Sequence, residues 1–442
     1  MTSPEERTDV PGVSRELADN VELVHFPEEE DRPHVPLTEL ATMLSGSRQH
    51  EEGLEENLSA NFSQESEVLL PDAARATLPE HQSLVFGSQP RNRLDVFVPR
   101  QRWRKRGPLP TVVFITGGAW TIGYKAWGAL LGRRLSQRGV LVFCLDYRNF
   151  PQGKATDMLE DVNRGIAWVI NNAELYGGDP GCLYIVGQSA GGHLGSLALM
   201  AQCARTAANE AASGGGGVMK KGGGEDGKAP VAAQDSTAPD KNIATIELTD
   251  PATDTSVLAE TDPLKSASLT PSSDPVGEWP AWNPALVRGF VGVSGAYDLV
   301  TLADHLDARG LNREMFGAIM SLDGRPALAR LSPARVVRAL APGATARMPP
   351  VLLLHGTADK SVPVQNALDY ALALEAAGVP VRLKLYKGKT HTQPIVEDPM
   401  RGGRDGLMDD VLELVTGKPQ SHFQFPMLPS FLIDWATYVC PF

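Results

Sequence analysis

Apolar residues along the chain follow two rhythms. TVVFIT at 111 to 116 and VLVFCL at 140 to 145 are unbroken, β-branched-rich runs of strand length. Such runs, bounded by turn residues, predict strands buried on both faces of a parallel sheet. DMLEDVNRGIAWVINNAELYG at 157 to 177 instead repeats its apolar residues at three- and four-residue spacing, which predicts a helix. CLYIVG at 182 to 187 is the next strand, and a helix follows from about Ala190 to Ala204. LVRGFVGVSG, VLLLHG and VRLKLY each carry a later strand, with helical stretches between them. Ahead of all these, LVFG at 84 to 87 and LDVFVP at 94 to 99 flank the turn-like SQPRNR and predict an antiparallel hairpin. Alternation of this length predicts an α/β class with a mostly parallel central sheet and helices on both faces.

Two regions break the pattern. Residues 1 to 70 are Glu-rich with isolated helical hints such as LTELATML at 37 to 44, and are expected to form a loosely ordered acidic extension. Between 205 and 282 the regularity breaks, with the low-complexity SGGGGVMKKGGGEDGKAP at 213 to 230, and the region reads as a disordered surface insertion. The core then falls into residues 71–204 and 283–442.

Charge and cysteines narrow the function classes. The formal charge is −12, and residues 1 to 60 hold fifteen Asp and Glu against four Arg and no Lys. The remainder is near neutral, so there is no basic footprint for nucleic acid. Cys144, Cys182, Cys203 and Cys440 lack C-x-x-C spacing, which argues against a zinc site or a disulfide framework. The polar start MTSPEERTDV has no apolar signal region, so the sequons at Asn57 and Asn61 are expected to be unused. No apolar run approaches the length of about 20 residues that spans a bilayer. PSFLIDWATYVCPF at 429 to 442 is expected to pack as a helix on the core, with a membrane surface as its other resting place.

The candidate chemistry begins at GQSAGGH, 187 to 193, where Ser189 sits between two glycines on a predicted strand-to-helix turn. A sharp turn that exposes the hydroxyl leaves no room for flanking side chains, which explains Gly187 and Gly191. Serine needs a base, and of nine histidines His391 in YKGKTHTQP fits, just past the last predicted strand. His193 lies along the same helix as Ser189 and should point away from the turn, while His355 at a strand end reads as a structural hydrogen-bonding residue. A carboxylate must orient the base. Asp359 in VLLLHGTADKSVP is the better placed, because its strand should neighbour the one leading to His391; Asp298 in GVSGAYDL is the rival. The order Ser, Asp, His suits an α/β-hydrolase. Backbone donors for an oxyanion are expected from Gly117 and Gly118 in TGGAW, joined by Ala190.

TGGAWTIGYKAWGALLG, LDYRNFPQG, GQSAGGH and YKGKTHTQPIVEDPMRGGRD resemble the plant isoprenylcysteine α-carboxyl methylesterases, a branch of the hormone-sensitive-lipase-like α/β-hydrolases. The resemblance covers roughly 85 to 205 and 285 to 442. It implies an α/β-hydrolase fold with a small helical cap, the triad Ser189, Asp359 and His391, and no metal or organic cofactor. The implied substrate is a prenylcysteine methyl ester, free or on a prenylated protein. A prenyl chain requires an apolar groove, for which Trp120, Tyr124 and Trp127 after the oxyanion loop, with Gln188 beside the serine, are the candidates. The implied location is the cytosolic face of endoplasmic reticulum or Golgi membranes, with peripheral membrane contact. The family carries membrane-spanning helices ahead of its core, whereas that region is acidic here, so a soluble cytoplasmic location is the alternative. Two other functions compete: a carboxylesterase of broad specificity, and a non-catalytic receptor on the same fold, against which an intact His391 argues.

Overall fold

The computed structural model describes residues 20–24, 78–100, 103, 107–214, 279–310, 312–419, 423–429 and 431–433. Strands β1 (Val21–Val24), β2 (His81–Val85), β3 (Arg93–Phe97), β4 (Leu109–Ile115), β5 (Leu141–Leu145) and β6 (Gly178–Gln188) precede β7 (Val287–Val293), β8 (Val351–Gly356) and β9 (Val381–Tyr386). They form one nine-stranded sheet in the order β1-β9-β8-β7-β6-β4-β5-β3-β2. All neighbours run parallel except at one edge, where β3 is antiparallel to β5 and β2 to β3. This is the mostly parallel sheet that the strand-helix alternation predicts.

The unbroken apolar strands divide between the two faces. In β4, Val113 and Ile115 join one core while Val112 and Phe114 join the other, and β5 does the same with Phe143 and Leu145 against Val142 and Cys144. Consecutive side chains of a strand point to opposite faces, so a sheet covered on both sides needs apolar residues at every position. Helices α1 (Ala129–Ser136), α2 (Ala155–Asn172) and α3 (Ala190–Gly214) supply cover in the first half. Leu159, Val162 and Ile166 of α2, with Leu194, Leu197 and Ala198 of α3, fill the larger core. Between β7 and β8 the chain forms α4 (Leu299–Ala308), α5 (Arg313–Ile319) and α6 (Pro333–Ala339), the helical cap. The second half ends with α7 (Gln365–Ala376) and α8 (Gly406–Thr416).

Three boundaries differ from the sequence expectation. Within the acidic N-terminal extension, Val21 to Val24 pair in parallel with Leu383 to Tyr386, and Glu22 meets Lys384 at 3.0 Å. Four residues carry too weak a pattern to mark a strand; the exposed edge of β9 makes it one. The rest of 1–70, including 37–44, lies outside the described residues. Helix α3 runs ten residues past Ala204, over an Ala-rich stretch with high helix propensity, and Glu210 forms an ion pair with Arg347. At the other side of the insertion, Trp279 and Trp282 are buried; the Trp282 indole donates to Asn163 Oδ1 at 3.0 Å, and Arg205 donates to the Trp279 carbonyl at 2.8 Å. These residues belong to the core rather than to the insertion, whose residues 215–278 lie outside those described. Of the C-terminal stretch, 431–433 are helical, with Ile433 buried and Phe431 and Leu432 exposed.

Leu353 in the middle of β8 is fully buried between β7 and β9. Leu353→Ala should cost about 3 kcal/mol, read as a lower urea midpoint with an unchanged slope.

Candidate active site

The sheet order brings the sequence candidates together. β6, β7, β8 and β9 are consecutive in the sheet. Ser189 follows β6, Asp359 follows β8 and His391 follows β9, so all three collect at the carboxyl edge, where parallel sheets place their ligands. His391 Nε2 lies 2.9 Å from Ser189 Oγ, and His391 Nδ1 lies 2.7 Å from Asp359 Oδ2. A carboxylate only accepts, so Nδ1 carries the proton and Nε2 is free to accept from the serine hydroxyl.

The turn at Ser189 is built by exclusion. Ser189 has φ of 52°, a left-handed conformation that costs a residue bearing a Cβ of order 1–3 kcal/mol. A Cβ at Gly191 would lie 2.0 Å from the Ile115 carbonyl oxygen, and one at Gly187 would lie 2.5 Å from that of Gly191. These are backbone atoms of β4 and of the turn itself, and they cannot step aside. The Ser189 N–H donates to the Val293 carbonyl at 2.8 Å, tying the turn to β7.

Asp359 is the most heavily hydrogen-bonded acid at the site. Its Oδ1 accepts from the Ser361 and Val362 amides, both at 2.9 Å. Its Oδ2 accepts from His391 and stands 3.2 Å from His355 Nε2, which also bonds the Val362 carbonyl at 2.9 Å. Burial by itself pushes this carboxyl up, but the hydrogen bonds and charges of His355 and His391 outweigh it and hold the pKa well below the ordinary carboxylate range. His355 thus has the structural role expected from its strand-end position, and it also touches the carboxylate, which the sequence reading missed. Its signal was the spacing to Asp359: four residues, spanning a strand end and a tight turn. The rival carboxylate, Asp298, caps α4 by accepting from Val300 and Thr301 and pairs with Arg335 at 3.1 Å, with no bond to His391.

The loop carrying Gly117 and Gly118 is held from behind. Gly118 has φ of 117° and Gly117 packs so closely on Gln188 that a Cβ would sit 2.0 Å from Gln188 Oε1. The Tyr147 hydroxyl donates to the Thr116 carbonyl at 3.0 Å, and the Thr121 and Ile122 amides close onto the Gly118 carbonyl at 2.9 Å. The Gly123 carbonyl accepts from Asn149 Nδ2 at 2.9 Å and from Arg91, itself paired with Asp146. The LDYRNF motif therefore serves the loop: Tyr147 and Asn149 bond it directly and Asp146 acts through Arg91. Ala190, at the first position of α3, carries a backbone N–H with no intrahelical acceptor.

The four candidates for substrate contact separate. Tyr124 and Trp127 are 45% and 44% exposed, alongside Ile122 at 57%. Gln188 is buried against the glycine loop. Trp120, against expectation, is buried at 4% exposure: its indole N–H bonds His193 at 3.2 Å and its ring meets Phe316 of the cap, so it supports the loop from the protein side. His193 points away from the turn, as its helical position requires. Among the described residues no group of acids, histidines and cysteines is arranged to hold a metal ion, and no helix is long and apolar enough to cross a membrane.

The fold and the strand-end arrangement define an α/β hydrolase. The family models agree: BD-FAE matches residues 94–216, and the prolyl oligopeptidase family matches residues 282–403. Two proteins of Oryza sativa subsp. japonica, each named a probable isoprenylcysteine alpha-carbonyl methylesterase, are 38% identical over 334 residues and 36% identical over 370. These alignments cover 76% of this chain and 63% of the first relative, and 82% and 70% for the second. The isoprenylcysteine alpha-carbonyl methylesterase of Arabidopsis thaliana is 35% identical over 370 residues, 82% of this chain and 70% of that protein. The chain belongs to the isoprenylcysteine alpha-carbonyl methylesterase family. It spans 63% to 70% of the length of these relatives. Among solved structures, a truncated carbohydrate esterase from gut microbiota aligns with a TM-score of 0.49 and 17% identity, over 77% of this chain and 97% of that one.

The depressed Asp359 carboxyl stabilises the fold at pH values above its unfolded pKa of about 4, and that contribution is lost as pH falls below it toward the folded value. The stability gap between wild type and Asp359→Asn, measured by urea denaturation, should therefore be widest near pH 7 and narrow toward pH 3. A second variant, Gly191→Ala, should lose about 3 kcal/mol, because its new methyl has only backbone to displace.

Proposed function

We propose that this chain is a serine carboxylesterase that removes the methyl ester from a C-terminal isoprenylcysteine, giving a carboxylate and methanol. The observation that carries the reading is the unbroken line from Ser189 Oγ to His391 Nε2 and from His391 Nδ1 to Asp359 Oδ2. A receptor on this fold would have no use for that line.

The reaction would proceed by two acyl transfers. Neutral His391 takes the Ser189 proton as Oγ attacks the ester carbonyl carbon, and the charge moves to the carbonyl oxygen. The Gly117, Gly118 and Ala190 amides receive this oxyanion, with the N-terminal dipole end of α3 favouring the same charge. Asp359, ionised through the working pH range, stabilises the imidazolium and keeps its Nδ1–H in place. The imidazolium gives its proton to the departing methoxide, so methanol leaves and an acyl-enzyme remains. Water then attacks by the same route and frees the acid. None of these steps calls on a cofactor.

The names of the relatives support the prenylcysteine substrate, and so does the surface just past the glycine loop. Ile122, Tyr124 and Trp127 are all 44% or more exposed there, an unusual density of bare apolar area in a short stretch. We assign Tyr124 and Trp127 to the prenyl chain and Gln188 to the region nearest the ester. Prenylated proteins are the proposed larger substrates, and the proposed place of work is the cytosolic surface of endoplasmic reticulum or Golgi membranes.

Methanol release from farnesylcysteine methyl ester and from cysteine methyl ester tests the reading. Burying a few methylenes of the prenyl chain should favour the farnesyl ester by at least about 100-fold in kcat/KM. Ser189→Ala should abolish both activities, and Asp359→Asn should lower kcat by about 10⁴. Equal Ser189-dependent turnover of the two esters would instead make the protein a carboxylesterase of broad specificity. No Ser189-dependent turnover of any ester would overturn hydrolysis itself.

A further inference from the structure

We propose that His193 is a positioning residue for the oxyanion loop, acting through the indole of Trp120. The inference rests on the ester-hydrolase reading above and assigns to that site a residue four positions beyond its nucleophile.

His193 is fully buried in the first turns of α3. Its Nδ1 lies 3.2 Å from Trp120 Nε1 and its Nε2 lies 2.8 Å from the Leu331 carbonyl oxygen. An indole N–H only donates, so Nδ1 must accept; a carbonyl only accepts, so Nε2 must carry the proton. Two neighbours from different parts of the chain therefore select one neutral tautomer. Burial acts in the same direction and lowers the His193 pKa to about 4, with the Leu331 bond opposing it only in part.

What the imidazole holds is a strained piece of backbone. Ala119 and Trp120 have φ of 47° and 61°, directly after Gly118 at 117°. Residues bearing a Cβ keep such angles only where the surroundings over-determine them. Trp120 is fixed on several sides: its N–H by His193, its ring edge against the imidazole at 5.4 Å, its face tilted on Phe316 at 5.5 Å, and its carbonyl by the Phe150 amide at 2.8 Å. The His193 amide also bonds the Ser189 carbonyl at 3.2 Å. One residue thus grips the nucleophile turn with its backbone and the glycine loop with its side chain. The separation between attacking oxygen and oxyanion donors is set through it. Leu331 and Phe316 bring the cap into the same junction.

A buried histidine that merely satisfied a buried tryptophan would affect stability alone. A positioning residue must also affect the transition state. The test uses the full chain as wild type, Trp120→Phe, His193→Phe, the double variant, and His193→Gln, whose amide can accept from Trp120 and donate to Leu331. Thermal midpoint, kcat and KM for a p-nitrophenyl ester, and the rate at which a fluorophosphonate modifies Ser189 are measured on each. Trp120→Phe and His193→Phe should lower kcat and the modification rate by about 10- to 100-fold, with KM within about twofold. The double variant should fall no further than the weaker single variant, and His193→Gln should recover at least half of the loss on a logarithmic scale. Variants that lose thermal midpoint while kcat and modification rate stay within about twofold of wild type overturn the inference. Where His193→Phe does not fold, Trp120→Phe decides by its own loss of about 10- to 100-fold, and His193→Gln must stay closer to wild type than Trp120→Phe in kcat and modification rate. A wild type that fluorophosphonate modifies but that hydrolyses no ester sinks the ester-hydrolase reading and leaves the modification rates to judge the positioning role. A wild type that resists modification overturns both.

Discussion

Everything in this molecule that bears on chemistry depends on how closely β6 and its following helix approach the end of β4. At Gly191 even a methyl would sit 2.0 Å from the Ile115 carbonyl oxygen. That contact lets the chain turn from strand to helix within a single residue, at a positive φ, with the Ser189 side chain left outside. Close packing of backbone on backbone has no soft member, because neither strand of a buried parallel sheet can shift without breaking its ladder. Ser189 is consequently held by the sheet itself. Its own hydrogen bonds, to Val293 and His193, secure the turn but do not create it.

The acid partner illustrates a different economy. Asp359 is buried, which alone would favour its neutral form, yet four donors converge on its two oxygens. A buried carboxylate is costly unless its lone pairs are satisfied. Here the satisfaction comes from the chain's own tight turn at 359–362 and from two imidazoles, so the charge is fixed in place before any substrate arrives. His355 lies beneath this arrangement, fully buried at the end of β8, and it joins the turn to the strand through the Val362 carbonyl.

Opposite the acid, the glycine loop has no regular structure of its own and borrows its shape. Tyr147 and Asn149 just past β5, Arg91 before β3, and His193 of α3 each take one of its backbone or side-chain groups. Preorganised donors serve catalysis only if they do not move when charge develops. Distributing the hold over three neighbouring segments gives the loop the rigidity that two adjacent glycines would otherwise deny it. It also explains why LDYRNF, which contains no candidate for proton transfer, is so polar for a segment that leaves a buried strand.

Much of this was legible in the chain alone. Continuous apolar runs such as TVVFIT announce strands covered on both faces, because only a two-sided core accepts apolar residues at consecutive positions. The glycines around Ser189 and the strand-end placement of Asp359 and His391 announced the site, since turns that expose a nucleophile are sterically specific. What tertiary structure decided were the relations that sequence distance does not encode. β1 is a strand because β9 offers it an open edge; its four residues would have no such fate alone. His355 reaches the Asp359 carboxylate because the turn after β8 folds back onto the strand end, a contact that four residues of sequence spacing do not by themselves show. Trp120, a candidate for the substrate groove, is buried with its indole on the imidazole four residues beyond the nucleophile, a contact between positions 73 residues apart that sequence order does not reveal.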